Sequence, residues 1–320
     1  MVSSIAWSSF WATVIAALQV ICLSGVGYLL ARTGRIDRVF LRKISNLLTD
    51  IFLPSFILYH TLSGSDNLRV EWVYLIPAVG IGMLVASLLL GFVIAKVLRI
   101  REANLFSALV SFQNCGYMPL IMVSVMFGPE KREMFYSWIF LYIIGFNFLV
   151  WSFGVWLVSG REGEGLWKKV INPPFLSTIV AVVLALLGLA NSIPAGIYSF
   201  LEILSRPVLP LSMLVMGGIL GLNCMSCSLN HRLLALTVIT KLVVLPMIAL
   251  MILSLLKFSI LTPDLRWFIL LESAVPSAVS LAVISESYGG DTPFISQVLF
   301  YTHLVSVVTI PVFLLLLKGQ

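Results

Sequence analysis

Charge is what this sequence lacks most. Acidic and basic side chains together make up 11% of its 320 residues, against roughly 25% in a soluble globular domain. With 60% apolar residues and a mean hydropathy of +1.06, the chain has too little polar surface to cover a water-facing core, and a polytopic membrane protein is expected. Cysteine is also scarce: Cys22, Cys115, Cys224 and Cys227 are the whole supply. The single close pair, NCMSC at 223–227, has no second pair and no histidine set beside it, so it reads as ordinary packing, with no metal site expected. Nucleotide-binding loops, a GxSxG elbow and a paired HExxH are missing, which leaves no enzymatic motif and no ATP-driven engine. The start, MVSSIAWSSF, has no basic n-region ahead of its long apolar run and is expected to be a retained helix.

What is present is apolar runs. A hydrocarbon core near 30 Å takes about 20 residues of helix, and on that measure the sequence divides into ten spans: 10–31, 43–63, 72–96, 103–127, 134–158, 172–190, 200–221, 233–256, 266–286 and 296–317. The net charge of +6 comes from basic residues between the spans, so it reports topology and not a nucleic-acid partner. Arg32, Arg35, Arg38, Arg42, Lys43, Lys96, Arg99, Arg101, Arg161, Lys168, Lys169 and Arg232 fall on one side; Arg69, Lys131, Arg132, Lys257, Arg266 and Lys318 fall on the other. Lys and Arg favour the cytoplasmic side, which places both termini outside a cell (inner) membrane, with the lipid bilayer as solvent.

Prolines suggest internal symmetry. DIFLPSFIL at 50–58 corresponds to RPVLPLSML at 206–214, and NCGYMPL at 114–120 to ESAVPSA at 272–278; the offsets from Pro54 to Pro210 and from Pro119 to Pro276 are 156 and 157 residues. Repeats of five helices enter the membrane in opposite senses. The expected fold is therefore an all-α membrane protein of ten transmembrane helices in two inverted five-helix repeats, 1–160 and 161–320. Asn114 lies eleven residues beyond Ala103, about 16 Å along a helix, and Pro276 lies at similar depth beyond Arg266. Both interruptions should fall near the midplane, where freed backbone groups must be buried in protein or line a wet cavity.

The polar residues at these breaks are the candidate site. Gln113 and Asn114 each offer a donor NH2 and an acceptor carbonyl, able to hold a carboxylate or a cation respectively. Near the second break stand Glu272, Ser273, Ser277 and Ser280. A carboxylate inside a membrane span usually faces a cavity or a partner, so Glu272 is a candidate for coupling to an ion, alongside Asp50 and Lys241; a structural pairing of Glu272 with Lys241 or Arg206 is the competing reading. Arg206 is expected to snorkel to an interface, and His303 to be a packed polar residue. Asn46 and Asn147 are too isolated to assign.

The block AVPSAVSLAVISESYGGDTPFISQVLFYTHLVSVVTIP at 274–311, with FQNCGYMPL at 112–120 and LPLSMLVMGGILG at 209–221, resembles the auxin efflux carrier family of the bile acid/auxin/arsenite transporter superfamily. The resemblance implies that the fourth and ninth helices are broken and cross at their prolines, and that the crossing forms the substrate site in a transporter domain moving against a scaffold domain, elevator-fashion. By position, Asn114, Gly116 and Pro119 fall on the first crossover motif, and Pro276, Ser277 and Ala278 on the second. Members often carry asparagine four residues after the second proline, where this chain has Ser280.

The expected function is secondary transport of small organic anions, mono- or dicarboxylates, by alternating access. The substrate-binding set is Gln113, Asn114, Gly116, Pro119, Pro276, Ser277 and Ser280. No cofactor is expected; H+ and Na+ both stand as coupling ions, and a homodimer is a compatible assembly. A Na+-coupled symporter of the bile-acid type is the alternative. An intramembrane hydrolase built on Ser273, Ser277, Ser280 and His303, or a receptor that does not translocate its ligand, are further readings; the first lacks any supporting motif.

Overall fold

The computed structural model describes residues 2–66, 71–160, 173–223, 230–256 and 261–318, and every extended element in it is helical. Cys224 and Cys227, and the loop bases Arg69, Arg161, Lys168, Lys169 and Lys257, lie outside the described residues. In chain order the helices are α1 (Val2–Arg32), α2 (Arg38–Leu47), α3 (Leu53–Ser63), α4 (Ile76–Val97), α5 (Ala103–Ser111), α6 (Tyr117–Met126), α7 (Pro129–Leu149) and α8 (Val155–Ser159). After these come α9 (Pro173–Leu186), α10 (Ala195–Ser205), α11 (Val208–Asn223), α12 (His231–Ile239), α13 (Leu245–Leu255), α14 (Pro263–Ala274), α15 (Ser280–Tyr288) and α16 (Thr292–Lys318).

The ten-span expectation is corrected here. Among the described residues, four helices are long and apolar enough to cross a membrane: Val73–Val97, Ala195–Leu222, His231–Leu255 and Thr292–Leu317. Ten transmembrane helices in two inverted five-helix repeats do not emerge; the fold is an all-α, multi-pass bundle in which long helices enclose shorter, interrupted ones. The reason is local. A count of apolar residues runs through interruptions that the structure makes into helix ends: span 103–127, expected to be interrupted at Asn114, is cut into α5 and α6, and span 266–286, expected to be interrupted at Pro276, into α14 and α15. At ten residues, α6 is about 15 Å long, half of what a crossing needs.

Two further interruptions trace to proline. Wide π-turns at Leu48–Phe52 and Thr240–Val244 precede Pro54 and Pro246. A proline ring collides with the carbonyl four residues earlier, here Asp50 and Leu242, and a π-turn makes room for it without ending the helix.

The bundle is held by close backbone approach and by apolar burial. α1 packs along α11 with almost no space between: a Cβ on Gly217 would stand 1.8 Å from the Ser24 carbonyl oxygen, and one on Gly27 2.0 Å from that of Leu214. Small residues at such a seam let helices approach where lipid supplies no hydrophobic drive. An aromatic cluster of Phe127, Phe135, Trp138, Trp267 and Phe268 ties α7 to α14, with the edge-on contact of Phe127 and Trp267 at 4.8 Å. His60 on α3 meets Glu133 on α7 at 2.6 Å inside a ring of Phe56, Tyr59 and Tyr136. Leu89, Val93, Val97, Leu255 and Val308 face outward, as a lipid-contacting surface requires.

Candidate functional site

The chain between α5 and α6 leaves the helix at Phe112, whose φ and ψ of −78° and 107° are extended. Between α14 and α15 it does so at Val275, with −68° and 152°, the conformation a following proline imposes on its predecessor. These two extended pieces meet. Gln113 and Ser277 form an antiparallel bridge, with the Asn114 N–H donating to the Pro276 carbonyl and the Ala278 N–H to the Phe112 carbonyl, both at 2.8 Å. Each break thus supplies partners for backbone groups that the other leaves exposed, which resolves the cost of an unravelled helix away from water. The Ser277 hydroxyl adds a 2.6 Å bond to the Leu109 carbonyl. Pro119 lies within the first turn of α6, where no intrahelical donor is lost.

A cavity of about 230 Å³ opens beside the crossing. Of the sequence-derived substrate set, Gln113, Asn114, Gly116 and Ser280 line it; Pro119, Pro276 and Ser277 do not. Pro276 and Ser277 are instead consumed in building the crossing. The first residues of α6 and α15, Tyr117 and Ser280, both border the cavity, so two helix N-termini with their positive dipole ends open on it. Thr49, Asn147 and Thr178 supply further polar groups, while Phe140, Phe146 and Phe175 supply apolar surface. Lys, Arg, Asp and Glu are absent from its lining among the described residues. Asn147 and Thr178 carry no motif, and only their placement against the crossing brings them to the site.

The ion-coupling candidates separate. Glu272 is completely buried on α14, and neither carboxyl oxygen has a hydrogen-bond partner. Lys241, 1% exposed, sits in the π-turn before Pro246. The two are close enough for their charges to act on one another and on Cys115, yet they form no ion pair within 4 Å. Asp50 is exposed and does not line the cavity. Arg206 is 72% exposed in its side chain and pairs with Glu202 one turn away, so it takes no part in the site.

His303 is buried, with both ring nitrogens in polar contacts, one of them to the first break. Its Nδ1 stands 2.7 Å from the Leu299 carbonyl, and its Nε2 stands 3.1 Å from Asn114 Nδ2. Asn114 Nδ2 also approaches Met216 Sδ at 3.9 Å. On the other side, Gln113 Nε2 donates to the Tyr142 hydroxyl, which in turn reaches Met83 Sδ. The sequence offered no signal for His303: it is a lone histidine 189 residues from its partner, in a helix that also carries Ser296, Gln297, Thr302 and Ser306.

Comparison with known proteins gives the chain's relatives. A family model described as membrane transport protein matches residues 12–166 and 163–314. An uncharacterized transporter of Methanothermobacter thermautotrophicus is 24% identical over 303 residues, covering 92% of this chain and 95% of that protein. One from Methanocaldococcus jannaschii is 24% identical over 305 residues, with the same coverage of each. Protein PIN-LIKES 2 of Arabidopsis thaliana is 23% identical over 160 residues, 47% of this chain and 35% of that protein.

Proposed function

The chain belongs to the membrane transport protein family, and on that premise we propose that it is a secondary transporter of small organic anions that binds its substrate at the paired breaks. It is a multi-pass membrane protein and not an enzyme. The observation that carries the substrate site is the crossing itself: two interrupted helices paired through Asn114 and Pro276, with a cavity beside them that Gln113, Asn114, Gly116 and Ser280 line. Helix N-termini at the cavity favour a negatively charged group, and the amides of Gln113 and Asn114 supply directional hydrogen bonds. Pro119, Pro276 and Ser277 act by shaping the breaks. The apolar walls around Phe140, Phe146 and Phe175 suit a carbon skeleton.

Transport proceeds by alternating access of the elevator type, in a cell membrane with both termini outside, driven by an H+ or Na+ gradient. Glu272, with unsatisfied oxygens near Lys241, is the group best placed to exchange the coupling ion; Asp50, exposed to the surroundings, is a weaker second. Tracer flux into proteoliposomes tests the reading, using a panel of mono- and dicarboxylates with and without imposed H+ and Na+ gradients. Asn114→Ala is expected to abolish flux while membrane insertion and thermal stability persist. Wild-type flux in that variant refutes the crossover site, and strict Na+ dependence identifies a Na+ symporter instead.

A further inference from the structure

The amide of Asn114 can present either of two faces to the cavity, and its neighbour decides which. A carbonyl oxygen only accepts hydrogen bonds, so the 2.7 Å contact to the Leu299 carbonyl requires a hydrogen on His303 Nδ1. With that tautomer the bare Nε2 is an acceptor, and the group 3.1 Å away must be the Asn114 NH2. The weak acceptor Met216 Sδ lies on the same side. The NH2 is therefore engaged with the bundle interior, and the carbonyl oxygen is turned away from His303. A second observation bears on the consequence: Asn114 lines the cavity, whose lining holds no charged side chain among the described residues, so a carboxylate entering alone would find the Asn114 NH2 already engaged and no countercharge beyond the two helix N-termini.

We propose that His303 is a positioning residue whose protonation reverses the Asn114 amide and thereby admits a carboxylate to the cavity. The proton comes from water and adds to Nε2, which becomes a donor. The Asn114 amide rotates about its Cβ–Cγ bond so that Oδ1 accepts from Nε2–H, and the NH2 swings toward the cavity. The N–H···N bond is replaced by N–H···O, and the Nδ1–H bond to Leu299 is kept. One positive charge is created behind the amide as one negative charge arrives in front of it. Neither charge is comfortable alone in a dry interior, so each favours the other, and the coupling must be reciprocal.

The elements packed against α16 bring Tyr28 from α1, Glu272 from α14, Lys241 from the π-turn and Tyr288 from α15, with Cys115 next to Asn114 in the chain. His231, Arg232, Asp264 and Arg266 lie toward the ends of their helices. Among the described residues, none of these makes a hydrogen bond or ion pair to His303, whose polar contacts there are Leu299 and Asn114.

The inference rests on the organic-anion reading above and deepens it by assigning a proton-linked step. Its test uses the full chain in nanodiscs with benzoate as a small monocarboxylate probe. His60, His231 and His303 are the only histidines, so 15N NMR of histidine-labelled protein resolves them, and loss of one signal in His303→Gln assigns it. Without probe, His303 should show the Nδ1–H tautomer. Saturating benzoate should raise the pH at which His303 titrates, a wild-type measurement that needs no variant to fold. Reciprocally, benzoate should bind more tightly as pH falls from about 8 to about 5, by up to about tenfold per pH unit, the limit for one linked proton. In His303→Gln that dependence should flatten. An unmoved His303 titration in saturating benzoate, or an unaltered pH profile in the variant, overturns the relay while leaving anion transport standing. If neither benzoate nor any other carboxylate of the panel binds at any pH, the anion reading falls and the relay falls with it.

Discussion

At the scale of single residues, the site is defined by which polar atoms are spoken for and which are not. Ser277 and Pro276 both stand on the second break, yet their hydroxyl and carbonyl are used up in bonds to Leu109 and Asn114. Glu272 is the opposite case: it is fully buried, and both oxygens lack hydrogen-bond partners. An unsatisfied buried carboxyl is costly to keep, and a coupling ion that visits it would explain its retention. Glu272→Gln keeps the shape and removes the charge. Its expected effect is a loss, on the order of tenfold, in the response of flux to the driving gradient, the usual size of a coupling free energy, with little change in Tm. A variant that responds to H+ and Na+ gradients as the wild type does removes Glu272 from the coupling scheme. Ser277→Ala should act differently, lowering stability by about 1–2 kcal/mol through loss of one buried bond, with substrate affinity changed less than in Asn114→Ala. Thermal unfolding and probe binding on the same samples distinguish the two effects.

At the scale of elements, the decisive events are helix ends. Pro54 and Pro246 widen their helices into π-turns, whereas Phe112–Gly116 and Val275–Val279 end theirs outright. Proline alone does not determine which occurs; the second outcome is found where another extended segment lies opposite to take up the freed N–H and carbonyl groups. A different device closes α13. Arg266 donates from Nη1 to Leu253, from Nη2 to Leu256 and from Nε to Leu261, at 2.8, 2.9 and 3.1 Å; the first two are carbonyls that the helix C-terminus leaves without partners, and the third belongs to the segment leading into α14. Arg266→Ala should cost about 2–4 kcal/mol, since bonds to a charged donor contribute more than neutral ones and part of the loss is recovered by water. Arg266→Lys should recover only part of it, because an ammonium cannot span three carbonyls as the planar guanidinium does. Differential scanning of the three proteins checks the order.

At the scale of the whole molecule, the bundle depends on how closely α1 and α11 approach. A methyl group at Gly217 would overlap the Ser24 carbonyl, and backbone on both sides leaves nothing flexible to yield. Gly217→Ala should therefore lower stability by about 1–3 kcal/mol, as expected for overpacking, and more if the helices are forced apart. Gly82 in α4 is the control: a Cβ there meets nothing within 4 Å, so Gly82→Ala should be neutral or stabilise by about 0.5–1 kcal/mol through helix propensity. Equal losses of Tm in the two variants would contradict the packing described for the α1 and α11 seam.

The sequence by itself determined the solvent and much of the local chemistry. Scarce charge and long apolar runs require a membrane, and prolines flanked by Gln113, Asn114 and Glu272 mark where helices must be disturbed, because a missing N–H and a ring clash act within one turn. Those effects are local, so they can be read locally. How many helices cross the bilayer was not decided there: the ten-span division counted apolar residues through breaks that end helices, and the structure leaves four helices of sufficient length among the described residues. Only the tertiary structure set Asn114 against Pro276 and His303, more than a hundred and fifty residues away, left Asp50 on the surface, and drew Asn147 and Thr178 into the cavity. Hydrogen-bond partners of that kind are chosen by which buried donors and acceptors remain unpaired after packing, a condition on the whole fold and not on any stretch of it.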